Sequence, residues 1–179
     1  MARRDSLVVY HSIGWYGVHV IVVHIPILAL LIAPFLVIVG AALAARKRQF
    51  VLGAALALMV MGTSMSFVAI ATGEAALKAV GPTPAIKLVV EKHRLLAETT
   101  TELFSVLTVG FAALLLLTGR LGRELESRTG TALLAVYLIL YTSGALFLVH
   151  TALQGGQVAH AIESKTSAAY HLPGGESAR

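Results

Sequence analysis

The chain has 179 residues, 57% of them hydrophobic and 13% charged, with a mean hydropathy of +0.82; this is too apolar for a water-soluble domain of that length and marks a membrane protein. Cysteine is absent, which excludes disulfides, thiolate nucleophiles, iron–sulfur ligation and covalent c-type haem attachment. The net charge of +5 does not call for nucleic acid, because Lys and Arg sit mostly beside the apolar runs, where they act as topology signals.

Four charge-free runs follow one another: Ser6 to Ala45, Gln49 to Gly73, Leu103 to Gly119 and Thr129 to Ile162. A hydrocarbon core about 30 Å thick needs about 20 helical residues, so each run makes one crossing, the third if its helix begins near Glu98 or earlier. The first run follows "MARR" but is much longer than the apolar core of a signal peptide, so it is the first helix. The links are short, with "RKRQ" after the first run and "GRLGRELESRTG" after the third; Gly81, Pro82 and Pro84 punctuate the middle one. The expected fold is all-α, an integral membrane four-helix bundle running up-down-up-down. Residues 1–163 form its transmembrane domain and 164–179 a polar C-terminal tail, with no evident internal repeat. Arg46, Lys47 and Arg48, with Arg120, Arg123 and Arg128, place the two short loops on the cytoplasmic side and both termini on the extracytoplasmic side.

Histidine is distributed on one side only. The stretch "GVHVIVVHIPIL" puts His19 and His24 in the first helix at i, i+5, about 140° apart, so the two face different neighbours and do not chelate one ion together. Counting about 20 residues back from each inner end sets the outer edges near Ile25, Ile70, Glu98 and His150. His24 and His150 then share a depth, His19 and His93 lie five residues further out, and His160 lies further still. A single interfacial histidine needs no explanation, but four at two matched depths on three helices point to a ligand site, since ionisable groups in membrane segments usually face the bundle and mark a site or a path. Glu98 and Glu102 share a helix face beside Thr99, Thr100 and Thr101, as support for that site or as a proton path.

Among cofactors haem b, in one or two copies, suits this chemistry: it needs neutral imidazoles on facing helices and no cysteine. The axial candidates are His19, His24, His93 and His150, with Glu98, Glu102 and His160 around them. Zinc or copper wants three or four ligands around one point, which the i, i+5 spacing makes awkward.

The segment "VHVIVVHIPI", read as H-x4-H-x-P-I, resembles the opening signature of the bacterial four-helix membrane family called domain of unknown function 2231. "GEAA" closing the second helix, "EKHRLLAE" opening the third and "LQGGQVAH" near the end of the fourth agree with it in outline, covering residues 14 to 165. Val20 stands where the family has a proline, and His160 where it has a tyrosine. Members occur fused to Rieske-type iron–sulfur domains or beside cytochromes, so the resemblance implies membrane electron transfer with His19, His24 and His93 at the site; His150 rests on depth alone.

The expected function is that of a cytochrome b type subunit, an electron carrier rather than a catalyst on its own. Its partners would be membrane lipid, a c-type cytochrome or iron–sulfur protein outside the cytoplasm, other subunits of a larger complex, and quinone as a further candidate. Two other classes compete: a cofactor-free anchor or assembly subunit, and a metal or proton transporter. The second is weakened by an inner half that has no histidine, because a path must cross the whole bilayer.

Overall fold

The computed structural model describes the backbone of residues 2–80, 84–121 and 128–170, and side chains within 14–161. Four helices follow in order: α1 (Ala2–Ala42), α2 (Ala45–Val80), α3 (Pro84–Leu121) and α4 (Arg128–Tyr170). Each contains a stretch long and apolar enough to cross a bilayer, Gly14–Ala42, Arg46–Ala79, Lys87–Leu117 and Ala132–Ala161. Lipid offers no hydrogen bonds, so these segments keep their backbone groups paired internally as helices. The bundle is all-α as expected, and α3 begins well before Glu98. The helix of α4 continues to Tyr170, through the first part of the tail; His171 and the rest of the tail, and the loop around Arg123, lie outside the described residues.

The helices form a ring in which α1 touches α2 and α4, and α3 touches α2 and α4, leaving α1 and α3 diagonal. Contacts are most extensive between α1 and α2 and sparsest between α1 and α4. The interior of the inner half, the half at the α1–α2 turn, is filled by Leu30, Val37, Met59, Phe104, Phe111 and Tyr141, all fully buried. Phe104 and Tyr141 meet edge-on at 5.3 Å, and Phe111 stacks on Tyr137 at 5.1 Å. Pro34 in α1 has no N–H, so the Leu30 carbonyl loses its helical donor. The Tyr141 hydroxyl donates to that carbonyl at 2.8 Å, which ties α4 to α1 where the two helices otherwise touch least.

The fold contains a repeat that residue identities hide. An offset of 74 residues carries α1 onto α3: His19 onto His93, Leu30 onto Phe104, Ala33 onto Leu107 and Val37 onto Phe111. An offset of 82 carries α2 onto α4: Ala55 onto Tyr137, Met59 onto Tyr141, Gly62 onto Gly144 and Gly73 onto Gly155. Matched positions do matched work. At Gly62 an added Cβ would sit 2.7 Å from Leu30, and at Gly144 it would sit 3.1 Å from Leu107. At Gly73 and Gly155 it would sit 3.0 Å from the rings of His19 and His93. The chain is therefore two antiparallel hairpins, α1–α2 and α3–α4, related at the level of these glycines and histidines by an approximate pseudo-two-fold axis, although α1 and α2 pack much more closely than α3 and α4 do.

Candidate functional site

The outer half of the bundle is lined differently from the inner half. Its buried residues are small or hydroxylated: Ala76, Thr100, Thr101 and Thr151, with Gly73 and Gly155 nearby. Two larger groups enter from diagonal helices, His19 from α1 and His93 from α3, at equivalent positions of the two hairpins.

Each ring lies against a glycine of the following helix. The Cε1 atoms of His19 and His93 are both 3.0 Å from where a Cβ would stand on Gly73 and Gly155, so no other residue fits there without moving the imidazole. A glycine at each of these positions costs some helix propensity and gives the ring its place.

The hydrogen bonds of His19 settle which nitrogen is free. Its Nδ1–H donates to the Ala69 carbonyl at 3.1 Å and lies 3.2 Å from the Thr72 hydroxyl oxygen, whose own hydrogen goes to the same carbonyl at 3.0 Å. A carbonyl only accepts, so Nδ1 carries the hydrogen and Nε2 presents its lone pair. The main chain of Thr151, equivalent to Ala69, lies beside the His93 ring. Yet the His93 Nδ1 is buried without a hydrogen-bond partner, and Gln154 stands where hairpin one has Thr72.

The remaining candidates lie elsewhere. His24 is exposed, its Nδ1–H turned back on the Val20 carbonyl at 2.6 Å. His150 is exposed on α4, so the pair matched in depth, His24 and His150, faces outward rather than toward the axis. Glu98 is held on the flank of α3 by Arg94 at 2.8 Å, Glu102 is exposed on the back of α3, and His160 is exposed beyond the histidine level. Of the seven candidate residues, His19 and His93 are therefore the two that lie against the following helix, each on a glycine. Sequence reasoning missed the shelves under them, Gly73 and Gly155, and the Ala69–Thr72 cradle; the glycine following Thr72 in "ATGE" and the glycine pair in "LQGGQ" were the available signals.

A bis-imidazole iron site needs neutral imidazoles from facing helices; His19 and His93 come from diagonal helices, and the bond from His19 Nδ1 to the Ala69 carbonyl leaves its Nε2 lone pair free. Among the described residues no three of His, Asp and Glu converge as a separate ion site would require. No protein-family model matches the chain, and neither a curated protein nor a solved structure does.

Proposed function

We propose that this chain is a membrane haem b subunit of the cytochrome b type, in which His19 and His93 would hold a single haem. The observation that carries it is the equivalence of the two rings, each on its own glycine shelf and on diagonal helices. Bound there, haem supplies a reversible one-electron couple. The chain holds and orients the imidazoles, His19 through the Ala69 carbonyl, and the packed aromatic half beneath closes the site toward the cytoplasmic loops. Electrons would be exchanged near the outer membrane surface with a c-type cytochrome or an iron–sulfur protein, or with quinone, and the setting is a bacterial inner membrane with both termini outside. The motif resembling domain of unknown function 2231 supports the same reading.

Purification in mild detergent from haem-sufficient cells tests it. The expected product is red, shows the split absorption of low-spin bis-imidazole haem on reduction, and contains one haem per chain by pyridine haemochrome assay. His24→Ala and His150→Ala should keep that haem. A colourless, folded preparation would overturn the proposal in favour of a cofactor-free anchor. Sidedness is tested separately with Ser177→Cys, which should react with an impermeant thiol reagent once the outer envelope is opened and before the inner membrane is lysed.

A further inference from the structure

The two imidazoles are seated alike and held unequally. Each rests on a glycine of the following helix, its Cε1 3.0 Å from where a Cβ would stand. Beyond that shelf the supports differ. The His19 Nδ1–H donates to the Ala69 carbonyl at 3.1 Å, and the Thr72 hydroxyl oxygen stands 3.2 Å from the same nitrogen. At His93 the equivalent positions are held by Thr151 and Gln154. The Thr151 main chain lies beside the ring, but no hydrogen bond reaches the buried Nδ1. The Thr151 hydroxyl is engaged with the Phe147 carbonyl at 3.0 Å and the Thr100 hydroxyl at 2.8 Å, and Gln154 makes no hydrogen bond among the described residues.

A neutral imidazole carries one hydrogen on its two ring nitrogens, so a ring that gives its Nε2 lone pair to a metal carries that hydrogen on Nδ1. His19 is already in this state, and the carbonyl that accepts from its Nδ1–H makes the ring a more basic ligand. His93 in the same state buries an N–H without an acceptor, which is costly. With its hydrogen on Nε2 instead, it has no lone pair there to give. Both effects weaken a bond at His93 relative to one at His19, and both lie in the chain before any metal is bound.

We propose that His93 is the exchangeable member of the pair: a neutral diatomic of the carbon monoxide class takes its place at reduced iron while His19 stays bound. This rests on the haem reading given above. In the exchange the iron–Nε2 bond breaks with the lone pair returning to Nε2, and the lone pair on carbon makes the new bond. No proton moves and no oxidation state changes.

The full chain in detergent, with isotopically labelled histidine nitrogens, tests this in two stages. Prepared from haem-deficient cells, it should show His19 by nuclear magnetic resonance as one tautomer, hydrogen on Nδ1, and His93 as a mixture of two; His19→Gln and His93→Gln assign the signals. The reduced haem-loaded chain should lose its low-spin bis-imidazole bands on addition of carbon monoxide. The carbonyl complex is diamagnetic, so the His93 nitrogens should regain their haem-free signals in it while those of His19 do not. Gln154→Thr supplies the hydroxyl that His19 has and should weaken carbon monoxide binding about tenfold, the scale of one hydrogen bond. Gln154→Ala removes a side chain that bonds to nothing and should leave that binding unchanged. A red protein whose bands ignore carbon monoxide, or that releases His19 instead, overturns the proposal and leaves the haem reading standing. A single tautomer at both rings, or equal effects of Gln154→Thr and Gln154→Ala, does the same. A colourless folded protein from haem-sufficient cells overturns both.

Discussion

At the level of Phe104 and Tyr141 the four helices enclose a fully packed interior; about 16 Å further out along the same helices, eleven residues back from Phe104 at His93, they enclose two imidazoles among glycine, alanine and threonine. Both levels belong to one bundle with one set of crossings. In the inner half large residues of hairpin two meet smaller residues of hairpin one, Tyr137 and Tyr141 against the equivalents Ala55 and Met59, so the space is closed by complementary sizes. In the outer half the two hairpins agree, His with His and Gly with Gly. Asymmetry fills the interior, and symmetry keeps two equivalent donors available on its axis.

Four tests separate the levels, from the largest effect to the smallest. His93→Ala or His19→Ala should abolish haem binding, because one axial nitrogen is removed from a site with two; pyridine haemochrome content should fall to background while the protein stays monodisperse. Phe104→Ala should cost about 3–5 kcal/mol of stability through the cavity it leaves, read by denaturation in detergent, with the positions of the haem bands unchanged. If the bands move as much as for a histidine variant, the two levels are not separate. Gly155→Val should cost about 1–3 kcal/mol by overpacking and reduce haem content, because its Cβ falls 3.0 Å from the His93 ring. Gly156→Val is its control, with nothing within 4 Å of the added carbon, and equal losses in both would remove the shelf from the account. Tyr141→Phe should cost about 1 kcal/mol, the scale of an interhelical hydrogen bond in a membrane, leaving haem content intact and the Leu30 carbonyl without a donor.

Most of the fold was legible in the sequence and only part of the site. Charge-free runs of sufficient length announce four crossings because the bilayer sets the length of a helix. Depth was legible in part: His19 and His93 take equivalent positions, whereas His150, set level with Glu98 by counting, lies level with Thr101 in the α3–α4 register. Azimuth was not. The segment around His19 and His24 is apolar on every side, so nothing in the pattern says which of two histidines 140° apart faces the axis; that is decided by packing, through Pro26, Ala29, Leu30 and Ala33 being buried on the His19 side. The repeat escaped notice because equivalent core positions share space rather than identity, as with Leu30 and Phe104. The change of offset from 74 to 82 residues, the longer turn of hairpin two, also breaks any simple periodicity.

The Pro34–Tyr141 contact bears on how the bundle is assembled. During synthesis α1 enters the membrane before α4, and proline leaves its Leu30 carbonyl open within the hydrocarbon. The donor that closes it arrives 111 residues later, on α4. Until then an inserted chain of two or three helices carries an uncapped acceptor along the seam where α1 and α4 have the fewest contacts. An unfinished bundle is thus chemically distinguishable from a finished one, and a membrane quality-control factor that probes for exposed polar backbone has a mark to read on the nascent protein that vanishes when α4 docks.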